Sequence, residues 1–150
     1  KGACGEVYRQ IANFIMERGG FCRPLIAPMD TQLDCDEKTM VQPDVAILCR
    51  NDKIKKWGIY GAPDFVLEVI SPSTRRKDYT KKLSKYMTAG VREYWILDPC
   101  QQKLIVYFFE SEVCPMIYGL DESVAVGIFD GELEIEFSNI RRWIEEEKNF

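Results

Sequence analysis

The sequence predicts an α/β domain built around one mixed central β-sheet with helices on its faces. Three observations lead there. Residues 5–18 carry apolar side chains at helical spacing, residues 63–86 read as a buried strand, a turn and a helix, and residues 93–110 read as a strand hairpin. At 150 residues the chain is expected to form a single domain, 1–150, long enough to bury a real core.

The elements follow in order. GEVYRQIANFIMER (5–18) places Val7, Ile11, Phe14 and Ile15 on one helical face with Tyr8 alongside, and Gly19-Gly20 ends that helix. PLIAPMDTQLD (24–34) alternates loosely, as a strand does; CDEKTM turns; VQPDVAILCR (41–50) makes a short buried strand. Residues 51–62, with Lys53, Lys55, Lys56 and Trp57, form a polar loop that either touches a nucleic-acid duplex or is simply solvated. Val66, Leu67, Val69 and Ile70 then make an almost unbroken apolar run, the mark of a strand covered on both faces. After a Ser-Pro-Ser-Thr turn a helix is expected to run to residue 89, with Gly90 as its left-handed cap and Val91 as the apolar contact beyond. EYWILDP (93–99) and KLIVYFFE (103–110) pair across a DPCQQK turn. IYGLDESVAVGIFDG is irregular, and ELEIEF alternates Glu with apolar residues as a strand with one wet face. Ser138 is placed to cap a last helix that docks through Ile140, Trp143 and Ile144.

Composition narrows the chemistry. Apolar content of 46% and charged content of 29% suit a globular domain, and no stretch approaches the roughly 18 apolar residues of a membrane span. There is no signal-peptide core and no initiator Met, so the chain is read as beginning inside its native protein. The six cysteines (4, 22, 35, 49, 100 and 114) are widely spaced without a CxxC pair, which argues against a zinc knuckle and a disulfide framework. Cys49 reads as a small buried hydrophobe, and a reducing cytoplasm is the expected compartment. With no histidine, Ser-His and Cys-His catalysis and imidazole metal sites are excluded. Any metal must be held by oxygen, which favours magnesium, manganese or calcium.

Inside the apolar run sits one carboxylate, Glu68, costly there unless something pairs with it. Asp64 lies on the same strand face but about 13 Å away, too far to share an ion. Asp44 is better placed, at the entrance of a strand that can neighbour the first. On a wheel of about 100° per residue, Lys82 falls on the shoulder of the apolar stripe, while Lys77, Lys81 and Lys85 point away. Two carboxylates and a lysine are the minimum for metal-dependent phosphodiester hydrolysis. Spacing alone leaves a partly buried Glu68–Lys82 ion pair with no metal as the plainer alternative. The net charge of −4 conceals a basic stretch, Arg75, Arg76, Lys77, Lys81, Lys82 and Lys85 against Asp78, suited to a phosphate backbone or to water.

QPDVAILC, PDFVLEVISPSTRRKD and KLSKYMTAGVREYWILDP resemble the Uma-type restriction endonuclease family, within the PD-(D/E)xK nuclease superfamily. The resemblance spans residues 5–110 and is densest over 42–99. It implies a restriction-endonuclease-like core, a Mg2+ (or Mn2+) cofactor and DNA as substrate, with Asp44 and Glu68 as the metal-binding acids. The superfamily lysine normally stands two residues after the second acid; here that position is Ile70, and the family's helix lysine matches Lys82. Gln42, Asp78 and Tyr86 match supporting positions, and Glu6 is the nearest candidate for a first-helix glutamate. Arg75, Arg76 and Lys77 are the expected nucleic-acid contacts. The family's segment ahead of the first helix, and a histidine near that helix, are not in this sequence. A catalytically silent nucleic-acid-binding or assembly module on the same fold is the alternative, and a strand edge and the apolar hairpin offer surfaces that suit a homodimer.

Overall fold

The computed structural model describes residues 2–33, 39–73, 78–111 and 115–147, and for residues 78 and 79 only the backbone. Helix α1 (Gly2–Arg18) leads into β1 (Arg23–Ile26), β2 (Thr31–Gln32), β3 (Met40–Val41), β4 (Val45–Leu48), β5 (Ile59–Tyr60) and β6 (Phe65–Val69). A wide π-helical turn, Asp78–Lys82, opens α2 (Leu83–Ala89). The chain continues through β7 (Glu93–Asp98), β8 (Lys103–Phe108), β9 (Met116–Gly119), β10 (Ser123–Ala125), β11 (Glu134–Glu136) and α3 (Ser138–Glu147).

Six strands form the central sheet in the order β1-β4-β6-β7-β8-β9. Among the described residues of this sheet only β6 and β7 pair in parallel, and the long connection such a pair requires carries α2. The β6 backbone is covered on both sides, which is why its sequence is apolar at successive positions. Phe65 and Leu67 face α1, α3 and the β10–β11 hairpin, together with Val45, Ile47, Trp95 and Leu97. Val66 and Ile70 face the α2 side, with Tyr86, Tyr94, Ile96 and Ile105.

The helical stripe of α1 is as expected, with Ala3, Val7, Ile11 and Ile15 buried. Gly90 adopts φ 99° and ends α2, and the Val91 N–H reaches back to the Tyr86 carbonyl at 3.0 Å. Other expectations are corrected. Residues 24–34 are not one strand: β1 stops before the cis Ala27–Pro28 bond, and β2 joins a separate small sheet, β3-β2-β5. The polar stretch 51–62 therefore holds a strand. The Ser138 hydroxyl donates to Glu136 Oε1 at 2.8 Å rather than standing outside α3 as its cap. Trp143 lies over Gly2, where a Cβ would collide with its indole, so α1 meets α3 through a residue without a side chain.

Cys49 is not a lone buried thiol. The antiparallel register that pairs Arg23 with Leu48 sets Cys22 opposite Cys49, and the two form a disulfide with their Cα atoms 3.9 Å apart. No helix among the described residues is long and apolar enough to cross a membrane.

Candidate active site

The site begins with Glu68, the single charge in β6 and only 3% exposed. Pairing of Val45 with Leu67 in the antiparallel β4–β6 ladder brings Asp44, just ahead of β4, abreast of Glu68. The Asp44 carboxylate is fixed there: its Oδ2 accepts the Val69 N–H at 2.7 Å. Two acids from neighbouring strands thus meet at one end of the sheet.

The π-helical turn and α2 supply the partners. The Lys82 ammonium donates to Glu68 Oε2, and the Tyr86 hydroxyl donates to Oε1 at 3.4 Å. Lys82 and Tyr86 stand four residues apart, so one helical turn presents both to the same carboxylate. Tyr86 is itself held edge-on against Tyr94, ring centroids 4.9 Å apart. The Lys82 side chain remains 27% exposed, so its ammonium bridges the buried acid and solvent.

Helix α1 reaches the same region through Cys4, which the sequence gave no reason to single out beyond its place beside the buried stripe. Burial, reinforced by the negative charge of Asp44, pushes the Cys4 thiol up to about 11. It is therefore neutral and unreactive at physiological pH. Iodoacetamide should label the exposed Cys100 well before Cys4, as read by peptide mass spectrometry. Equal labelling rates would mean that Cys4 is not sheltered beside the acids.

Glu6 does not join the acids. It stands two residues past Cys4, about 200° around the helix, and its carboxylate is held by Arg9 at 2.9 and 2.6 Å and by Gln10 at 3.0 Å. Gln10 in turn accepts the Glu136 N–H of β11, so this side of α1 serves packing. Asp64 is at the far end of β6, accepting the Cys49 N–H at 2.7 Å with Arg92 3.7 Å away. Ile70 is buried among apolar neighbours. Arg75, Arg76 and Lys77 lie outside the described residues, as does the Asp78 side chain.

Beside the acids opens a cleft of about 490 Å³. Lys81, Lys82, Lys85 and Tyr86 line one wall, and Asp30, Thr39, Met40, Val41 and Gln42 the other. Gln42 thus lies next to the acids rather than on them, with its Nε2 donating to Asp30 Oδ1 at 2.6 Å. A divalent cation fits this donor set. No group of three or more His, Cys, Asp or Glu suited to a metal occurs among the described residues, but magnesium is commonly held by one or two carboxylates, with water and substrate phosphate completing its shell. The Lys82 ammonium already marks a position beside Glu68 where positive charge is stabilised.

Residues 2–136 match the model of a protein family, Uma2, described as "Putative restriction endonuclease". A crystal structure described as a "putative nuclease belonging to DUF820", from Anabaena variabilis, is similar over 95% of this chain and 79% of its own, with a TM-score of 0.73. Sequence identity is 20%, so this likeness speaks to the fold. A search of curated proteins finds no match.

Proposed function

Since the chain belongs to the Uma2 family of "putative restriction endonucleases", we propose that it is a magnesium-dependent endonuclease hydrolysing phosphodiester bonds of DNA. The observation that carries this proposal is the convergence of Asp44, Glu68 and Lys82, from two strands and the turn into a helix, at the mouth of a lysine-lined cleft.

Asp44 and Glu68 would hold the cation, Asp44 kept in place by the Val69 N–H and Glu68 by Tyr86. When bound, magnesium or manganese supplies Lewis-acid polarisation of the phosphate and raises the acidity of a nearby water. Lys82, which donates to Glu68, would orient that water or donate to oxygens gaining negative charge on the phosphate. The water oxygen, giving up a proton to solvent, would bond to phosphorus as the bond to the leaving sugar oxygen breaks, and that oxygen would take up a proton from solvent. Lys81 and Lys85 lie along the cleft as point charges for flanking phosphates.

A second reading is a catalytically silent nucleic-acid-binding module. It is favoured by one fact: the Lys82 ammonium pairs directly with Glu68. Supercoiled plasmid incubated with magnesium separates the two. Nicked and linear product is expected from the wild-type chain, and none from Glu68→Ala, from Asp44→Ala or in EDTA. Equal nicking by all three proteins would indicate a contaminant and remove the proposal. Salt-dependent binding without product would establish the silent module.

A further inference from the structure

We propose that the hairpin tip Lys55–Gly58, together with Arg23 of β1, is a docking surface for the phosphate backbone of a nucleic acid, outside the cleft beside Glu68. The nature of the ligand rests on the nuclease proposal; the surface's capacity to bind it does not depend on cleavage.

The tip is ordered by its own backbone. Ile54 and Ile59 form an antiparallel bridge. The Lys55 N–H donates to the Gly58 carbonyl at 2.7 Å, and the Gly58 N–H returns to the Lys55 carbonyl at 3.3 Å. Lys56 and Trp57 are left at the turn, exposed, with Lys55 exposed beside them. The base of the hairpin is fastened as well. The Ile59 N–H donates to the Asp30 carbonyl at 2.8 Å, and a Cβ at position 58 would collide with that carbonyl, so glycine stands there. A projection held in this way loses little freedom when a ligand docks on it.

Charge at the tip is available. Arg50 pairs with Asp52 at 2.9 Å, and the Lys53 ammonium donates to the Ala62 carbonyl at 2.7 Å. Arg23, Lys55 and Lys56 meet no carboxylate among the described residues. Elsewhere Arg9, Arg18, Arg92, Arg141 and Arg142 each meet a glutamate. In a chain of net charge −4, unmatched cations gathered around one projecting tip suit a polyanion. Trp57, 49% exposed, shares a groove with Arg23, Leu25 and Met29, so an aromatic ring stands among the cations and gives a sugar or base an apolar contact.

Asp30 joins this surface to the cleft. Its backbone holds Ile59, while its carboxylate accepts from Gln42 Nε2 at 2.6 Å in the cleft wall. Strand β3, whose Met40 and Val41 line the cleft, and β5, which continues the hairpin, are the two edges of the small sheet. Two strand spacings separate them by about 10 Å, the rise of about three nucleotides along one strand. A nucleic acid entering the cleft therefore needs only a short flank to meet the tip.

The test is fluorescence anisotropy in EDTA with a labelled DNA duplex of mixed sequence, titrated with sodium chloride. Lys55→Ala with Lys56→Ala should weaken binding and lower the slope of log affinity against log salt by roughly 1.8, the value for two phosphate contacts. Arg23→Ala should lower it by roughly 0.9. Arg141→Ala with Arg142→Ala removes the same charge as the lysine pair from α3 and should leave the slope at the wild-type value. An unchanged slope in the lysine variant, an equal fall in the α3 variant, or no binding at low salt overturns the surface. So does a dimer, seen by sedimentation, that the lysine variant dissociates without loss of DNA affinity; the tip would then belong to an acidic face of a second copy. If plasmid stays intact while the slope shifts, the nuclease proposal fails and the surface stands. Cleavage by a chain whose slope the tip does not alter gives the converse.

Discussion

Lys82→Met is expected to destabilise the domain by about 3 kcal/mol, the low end of what removing one member of a buried ion pair costs. Methionine keeps most of the packing of the lysine stem, so the loss isolates the ammonium. Glu68 is almost wholly buried and would retain the Tyr86 hydroxyl at 3.4 Å without a counter-charge. The low end applies because the Lys82 side chain is 27% exposed and part of its interaction is screened. For a chain of this size the melting temperature should fall by roughly 6–12 °C. Millimolar magnesium or manganese should stabilise this variant more than the wild type, because the cation replaces a missing charge instead of competing with one. The double variant Lys82→Met with Glu68→Leu should recover most of the loss, since an apolar pair of similar volume carries no stranded charge. A single variant as stable as the wild type would mean that the ammonium does not pair with Glu68.

Glu93→Ala is expected to cost on the order of 3–6 kcal/mol, because it strands one buried donor, at about 1–3 kcal/mol, and two half-buried ones that cost less each. Glu93 is fully buried at the start of β7. Its Oε2 accepts the Trp95 indole N–H at 2.8 Å and the Gly127 N–H at 3.0 Å, and its Oε1 accepts the Ile128 N–H at 3.0 Å. Burial pushes this carboxyl above its ordinary range, against the pull of those donors. The carboxylate fastens the turn between β10 and β11 to the central sheet, away from Asp44 and Glu68. Urea unfolding should register the loss in full, while whatever cleavage activity the wild type has should persist at low temperature. Loss of less than 1 kcal/mol would mean that water replaces the carboxylate freely.

Much of the site was legible because its residues violate their surroundings. Glu68 is conspicuous as a charge inside an apolar run, and Lys82 as the one helix lysine at the edge of the apolar stripe. The wheel placed Lys82 correctly although residues 78–82 wind more widely than an α-helix, but it turned Lys81 and Lys85 away, and both line the cleft with it. The features that escaped depend on register or on distant partners. Cys22 and Cys49 meet only because β1 and β4 pair as they do, across a separation of 27 residues that forms no motif. Strands β2, β3 and β5 are two residues long and too short to show a period. Glu93 draws its acceptor role from backbone 34 and 35 positions away. Glu6 looked eligible, but its carboxylate is held by Arg9 and Gln10.

The amine of the site comes from outside the sheet, and this makes the centre a contest. The π-helical turn and α2 together run twelve residues, Asp78–Ala89, at the edge of the roughly 12–15 that are marginal unaided, so they depend on packing against the sheet. On the proposed function, the Lys82 ammonium and a cation would vie for the same carboxylate, so the packing of this helix against the sheet would set how readily a cation enters.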